Sequence, residues 1–234
     1  MEMIEKNHFW FVAKRKFLQI ILNRYAPQKN LRILDVGCGA GAILDFLREK
    51  GYVGEGIDNN EEALKYCRDK GLRVDIGTVE KMNYKDGSFD VVLASDVLEH
   101  LTDDRAAVKE IARVLKKGGF FIATVPAHHW LWSYHDVALH HQRRYSRHEW
   151  EKLLSSQFEI RLVTWLHLCI ILPIWIMRRV GKKSNGQSSG SDVREVNQII
   201  NILMKVCYWP ELTLFKIISR LPWGVSLLAV VKKK

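Results

Sequence analysis

The segment Asp35-Val-Gly-Cys-Gly-Ala-Gly41 constrains this chain more than any other stretch. It follows a short apolar run, Leu31–Val36, and precedes Ala42–Lys50, which has helical periodicity and stops at Gly51. A strand that turns through glycines into a helix opens a parallel α/β sheet. The alternation continues with a strand at Val53–Ile57 ending in Asp58, a helix over Glu61–Lys70 and a strand at Arg73–Ile76. Phe89–Ser95 is a strongly apolar strand. Arg105–Leu115 is a helix ended by Lys116–Gly119, and Phe120–Val125 is a strand stopped by Pro126. Short continuous apolar strands between helices predict a doubly wound sheet covered on both faces. Ligands of such sheets sit at the carboxyl ends of the strands. Those ends here are Asp35–Gly41, Asp58, Thr78–Glu80, Ser95–His100 and Pro126–His129.

Outside this block the pattern changes. Residues 1–30 read as a helix whose adjacent aromatics, Phe9, Trp10 and Phe11, surround it, so another element should bury it. Phe158–Thr164 reads as a sixth strand and Gly224–Val231 as a last one. Between them lie a polar Gly/Ser stretch, Lys182–Asp192, and one or two apolar helices over 193–222, broken near Pro210. The expected organisation is an N-terminal helical cover (1–30), a core (31–165 and 224–234) and a basic, apolar helical insertion (166–223).

Composition narrows the class. Of 234 residues, 47% are apolar and 26% charged, enough for a real core. The four cysteines include no C-x-x-C pair, which argues against a disulfide scaffold or zinc ribbon and fits a reducing cytoplasm. The first seventeen residues lack an apolar stretch of signal-peptide length, and no apolar run is long enough to span a bilayer comfortably. After Ile160 the chain holds 12 lysines and arginines against three acids, which carries almost all of the +10 net charge. Basic residues among apolar ones suit an anionic membrane surface, here through residues 161–223.

The chemistry of the glycine loop turns on Asp35. Glycines let the backbone approach a ligand closely, and Gly37–Ala42 also fits the loose dinucleotide pattern. A carboxylate two residues before the first glycine would repel a pyrophosphate and attract an ammonium. At about 4 Å in a partly screened site that difference is a few kcal/mol. Asp58, 21 residues after Gly37, is placed to accept from ribose hydroxyls.

Taken in order, ILDVGCGAG, GEGID, SFDVVLASDVLEHL and LKKGGFFIATVP resemble the class I S-adenosylmethionine-dependent methyltransferases, closest to the branch with ubiquinone and menaquinone biosynthesis enzymes. The resemblance covers about residues 30–126. It implies a Rossmann-like, seven-stranded, mostly parallel sheet whose last strand is antiparallel, with the helical insertion before it. It also implies S-adenosylmethionine as cofactor. Asp35, Gly37, Cys38, Gly39 and Gly41 would line its methionine part. Asp58 would hold the ribose, with Asn59 beside the adenine and the Val79 backbone at the adenine edge. Many relatives carry Asp where this chain has Thr78. Ser95 and Asp96 would lie where the substrate meets the sulfonium, and Arg15 or Lys14 would bind the cofactor carboxylate.

Methyl transfer from a sulfonium is an in-line displacement that depends on alignment. A hydroxyl acceptor also needs a base, most naturally histidine. The candidates at strand ends are His100, His128 and His129. No metal is expected, because His135, Asp136 and His140 fit no helical ligand pair and no cysteine joins them. Trp130, Trp132, Tyr134 and Tyr145, with Arg143 and Arg144, are expected to form a lid over the substrate. The fourth strand lacks the N/D-P-P-Y/F of base-methylating enzymes and there is no Pro-Cys nucleophile, so nucleic acid is not the expected partner. A small acceptor, lipid-linked or amphiphilic, is expected. The rivals are a non-catalytic cofactor-binding protein and an RNA-directed enzyme using the basic tail.

Overall fold

A computed structural model describes residues 7–175 and 197–234. The polar stretch 182–192 and the basic cluster Arg178, Arg179, Lys182 and Lys183 lie outside the described residues.

Seven strands make one sheet, ordered β3-β2-β1-β4-β5-β7-β6. They are β1 (Arg32–Val36), β2 (Val53–Asp58), β3 (Arg73–Ile76), β4 (Phe89–Ser95), β5 (Leu115–Pro126), β6 (Phe158–Leu166) and β7 (Ser226–Lys233). The first five pair in parallel, and β7 inserts antiparallel between β5 and β6. This is the expected Rossmann-like sheet. Winding reverses between β1 and β4, the position where such sheets open a crevice.

Alternation along the strands divides the core. Leu34, Val36, Val92 and Ala94 face one apolar cluster, which includes residues of α4 (Asp104–Val114) and α6 (Arg147–Ser155). Ile33, Val91 and Leu93 face the other, shared with α1 (Phe9–Tyr25), α2 (Ala42–Glu49), α3 (Glu61–Asp69) and α7 (Gln198–Ile218). Asp35 has the parity of Ile33, so its carboxyl is on the face that α1 covers.

Buried polar groups fasten α7 to the rest. Glu211 accepts from the backbone N–H groups of Leu168 (3.0 Å) and Cys169 (3.1 Å), just past β6. Asn201 accepts from the Phe9 N–H (2.7 Å) and donates to the Asn7 carbonyl (3.0 Å), which caps the start of α1. Phe215 meets Phe17 edge-on at 5.1 Å, and Phe9 stacks on Tyr208 at 6.1 Å. At Gly224 a Cβ would lie 2.0 Å from the Leu166 carbonyl oxygen, so only glycine lets the chain pass into β7 there.

Several expectations are corrected. The helix expected to break near Pro210 runs unbroken from Gln198 to Ile218. An interior proline costs about 3 kcal/mol, which the packing and buried hydrogen bonds of α7 offset. Strand β5 starts at Leu115 rather than Phe120, because Leu115 already pairs with Phe89 across an irregularity in register. Residues Arg143, Arg144 and Tyr145 form no lid. Arg144 is buried on Asp136 (2.7 Å) and the Ala127 carbonyl (2.9 Å), Arg143 donates to the carbonyls of Leu101 and Thr102, and Tyr145 donates to Asp104 (2.9 Å). Trp130, Trp132 and Tyr134 are exposed.

Candidate functional site

A cleft of about 230 Å³ opens at the winding reversal. Its floor is the glycine loop from Gly37 to Ala40 and the ends of β4 and β5, and its roof is α1, through Phe11, Lys14, Arg15, Phe17 and Leu18. The glycines carry it. Gly37, Gly39 and Gly41 all adopt positive φ. A Cβ on Gly37 would sit 2.6 Å from Val97, whereas one on Gly39 would meet nothing within 4 Å. The loop is thus tight against the protein on one side and open to a ligand on the other. It is held by the Gly37 N–H on the Ile57 carbonyl (2.8 Å) and the Gly39 N–H on Asp58 (2.8 Å).

Asp35 is 1% exposed, and its Oδ2 has no hydrogen-bond partner. Burial, then the charge of Asp58, pushes its carboxyl up to about 8, against a smaller downward pull from Lys14. A buried carboxyl with an unanswered oxygen beside an open glycine backbone is the counterpart of a cationic ligand group. The residues present therefore fit the ammonium end of S-adenosylmethionine.

At the tip of β4, Asp96 has a left-handed backbone (φ 56°), a conformation that costs a non-glycine residue about 1–3 kcal/mol. It pairs with Lys14 from α1 and accepts from the Thr124 hydroxyl (2.9 Å). Burial opposes its ionisation, but Lys14 and Thr124 outweigh that and hold it below the usual carboxylate range. Ser95 lines the cleft, 3.4 Å from Thr124 Oγ1.

The other candidates are placed as follows. Asp58 lies at the end of β2, with one oxygen on the Gly39 N–H and the other on the Asn60 N–H (2.9 Å). Asn60, not Asp58, caps α3 through the Ala63 N–H. Asn59 is exposed, and the Val79 side chain is buried in the core, which leaves its backbone. Cys38 lines the cleft, with burial and then Asp35 pushing its thiol far up, so it is no thiolate.

None of the three candidate histidines lines the cleft. His128 accepts from the Trp223 indole N–H (2.8 Å), and His129 pairs with Glu149 (2.7 Å) at the surface. His100 faces His141, with ring centroids 4.8 Å apart, and burial followed by His141 lowers its pKa. Two groups escaped the sequence reading. Glu99 is fully buried with both carboxylate oxygens unpartnered, and burial, then Asp96, raises its pKa well above the ordinary value. His167 is fully buried on Tyr208 (2.8 Å) and stacked on Trp10; burial, then Lys14, lowers its pKa to about 3. The Glu-His pair in VLEHL was the only signal for Glu99, and nothing local marks His167.

Comparison with known proteins agrees with this geometry. The methyltransferase domain family matches residues 34–123. A ubiquinone biosynthesis O-methyltransferase from Thiobacillus denitrificans is 37% identical over 108 residues, 43% of this chain and 47% of that protein. A probable S-adenosylmethionine-dependent methyltransferase from Mycolicibacterium smegmatis is 31% identical over 125 residues, 53% of this chain and 48% of that protein. The chain thus matches about half the length of these relatives. Among solved structures, geranyl diphosphate methyltransferase in complex with GPP and sinefungin superposes with a TM-score of 0.64 at 15% identity, covering 95% of this chain and 79% of that one. Sinefungin is an S-adenosylmethionine analogue. Residues 34–123 thus match the methyltransferase domain family, and the glycine loop, the switch-point cleft and the sheet order agree with that match.

Proposed function

We propose that the protein transfers a methyl group from S-adenosylmethionine to a small amphiphilic acceptor at a membrane surface. The observation that carries the cofactor reading is the unpartnered Oδ2 of buried Asp35, next to the open glycine loop. The enclosed cleft is smaller than the roughly 300–1,000 Å³ that encloses a drug-sized ligand. It takes one end of the cofactor, and the other end extends toward Asp58 and Asn59. Asp58 keeps lone pairs beyond the two its backbone partners use, which suits ribose hydroxyls. Arg15 lines the roof, and its guanidinium would suit the cofactor carboxylate.

Bound there, the cofactor supplies a methyl group on a positively charged sulfur. The chain's own work is alignment and exclusion of water. Phe11, Phe17 and Leu18 close the roof over the cleft. Asp96, fixed by Lys14 and Thr124, sets the acceptor side of the β4 tip.

Support for an amphiphilic acceptor comes from α7. Ile199, Ile202, Val206, Trp209 and Ile217 are all more than half exposed, at spacings that keep them on one side of the helix. Trp223, Lys205, Lys216 and Arg220 lie close by in sequence, Lys216 and Arg220 exposed. Apolar surface beside cations suits an anionic bilayer interface. Among the described residues no helix is long and apolar enough to cross a membrane.

Titration calorimetry with S-adenosylmethionine, then transfer of labelled methyl into a total lipid and metabolite extract, tests the activity. Absence of binding at millimolar cofactor would overturn it. Flotation tests the surface. Wild type should rise with anionic vesicles at low salt, and Trp209→Glu with Ile217→Glu should not, at unchanged melting temperature. A wild type that stays at the bottom of the gradient removes the membrane from the proposal.

A further inference from the structure

The roof helix α1 is seated on two buried histidines. His8 stands just ahead of α1; its Nδ1 accepts from the Trp10 N–H (3.3 Å) and its ring stacks on Phe9 at 4.4 Å. His167, just past β6, has a left-handed backbone (φ 64°). Its ring stacks on Trp10 at 3.9 Å and meets Phe17 edge-on at 5.7 Å, and its Nδ1 is 2.8 Å from the Tyr208 hydroxyl of α7. Trp10, Lys14 and Phe17 are spaced to share one side of α1. The side that meets His167 therefore also carries Lys14 to Asp96 and Phe17 to the cleft. In both histidines Nε2 is buried without a hydrogen-bond partner.

We propose that His8 and His167 form a proton-operated latch, which holds α1 over the cleft while both rings are neutral and releases it when they are charged. An apolar side chain would fill either place without burying a polar atom. A buried ring nitrogen without a partner is costly, and a buried imidazolium far more so. The surroundings do not answer such a charge. Lys205 of α7 bears on His8, and burial, then Lys205, lowers its pKa. Around His167 stand Lys14 of α1, Asp96 at the tip of β4, and Tyr208 and Glu211 of α7, with Glu211 engaged by the Leu168 and Cys169 N–H groups. Burial, then Lys14, outweighs Asp96 and brings His167 to about 3. Released, each ring returns toward its ordinary value of 6.5. A docked value below the free one means that docking is complete above about 6.5 and weakens as pH falls. At pH 5 His167 alone weakens it about 30-fold, tenfold per unit over roughly 1.5 units, and His8 adds to this. The latch depends on neither the cofactor nor the acceptor.

Hydrogen exchange of the intact chain, read by mass spectrometry between pH 7.5 and 5.0 and corrected for the intrinsic rate at each pH, tests it. Protection of α1 should fall at least about 30-fold across that range, while β1 and β4 keep theirs. His8→Asn keeps a capping side chain and His167→Phe keeps an aromatic ring against Trp10. Each single variant should show a shallower fall than wild type, and the double variant none. If His167→Phe does not fold, His8→Asn must still be shallower. A wild-type α1 whose protection ignores pH, an equal fall in wild type and His8→Asn, or a fall shared by β1 and β4 would overturn the latch. Affinity for S-adenosylmethionine on the same samples at pH 7.5 shows separately whether the cleft binds it.

Discussion

Asp35→Asn separates what the fold wants from what the cleft needs. The carboxyl is raised from 3.8 to about 8, chiefly by burial. Between those values the folded state holds a proton that the unfolded chain releases, so stability falls as pH rises from about 4 to 8 and levels off above. At pH 7 the penalty is about 4 kcal/mol, at 1.4 kcal/mol per pH unit over roughly three units. Asparagine keeps the shape and cannot ionise. Its amide N–H₂, left unpaired, returns about 1–2 kcal/mol of that gain. The net is about 2–3 kcal/mol in favour of the variant, or roughly 5–10 °C in melting temperature for a chain of this size. Affinity moves the other way. An ammonium beside Asp35 selects the ionised carboxylate, so wild-type affinity for S-adenosylmethionine should rise toward pH 8 by up to tenfold per unit and release a proton on binding. Losing that partner costs the variant about 2–3 kcal/mol, some 100-fold in Kd. Thermal unfolding followed by circular dichroism at pH 5, 7 and 8.5, with calorimetry in two buffers of different ionisation enthalpy, reads both quantities. An Asn variant that melts below wild type at pH 7 and binds the cofactor equally well would refute the assignment of Asp35.

Two further substitutions probe the frame around the cleft. Glu211→Ala removes the acceptor of the Leu168 and Cys169 N–H groups and should cost about 2–4 kcal/mol in urea unfolding, with Glu211→Gln recovering part of it. Gly224→Ala pushes a methyl into the Leu166 carbonyl at 2.0 Å and should cost at least about 2 kcal/mol in urea unfolding, whereas Gly39→Ala meets no neighbour within 4 Å, should cost only the roughly 1–2 kcal/mol of its left-handed backbone, and should show its main effect in cofactor affinity.

The order of strands and helices from β1 to β4 is legible because β1 and β4 are apolar runs, and the elements between them are punctuated by Gly41, Gly51, Asn60 and Gly71. Asn60, which caps α3, is an example, and beyond β4 so are Asp103 and Ser146, which cap α4 and α6. The start of β5 is not legible for the same reason. Lys116–Gly119 has the composition of a turn, yet its backbone belongs to a strand because Phe89 supplies a partner for Leu115. Strand pairing is decided by a neighbour far away in sequence, and composition reports only on the segment itself. Pro210 is the converse case. Its local signal says break, and the tertiary contacts of Tyr208, Glu211 and Phe215 override it.

The site divides along the same line. Asp35, the glycines and Asp58 lie close together in sequence, within the β1–α2–β2 unit, so the sequence alone brings them together as candidates. What closes and charges the cleft comes from elsewhere. Lys14 meets Asp96 across 82 residues, and Asn201 caps α1 across 192. The histidine-rich segment misled for a related reason. Arg144, Asp136 and His141 have no helical or strand period, so a spacing argument saw exposed aromatics and cations and inferred a lid. In the fold those cations are consumed by a buried carboxylate and by backbone carbonyls. A buried carboxylate that recruits both an arginine and a histidine orders the loop from within, and so leaves its aromatic residues, Trp130, Trp132 and Tyr134, outside. The roof of the cleft is therefore α1, and its position depends on α7: the surface proposed to meet a membrane and the cover of the cofactor site are two faces of one packed helix pair.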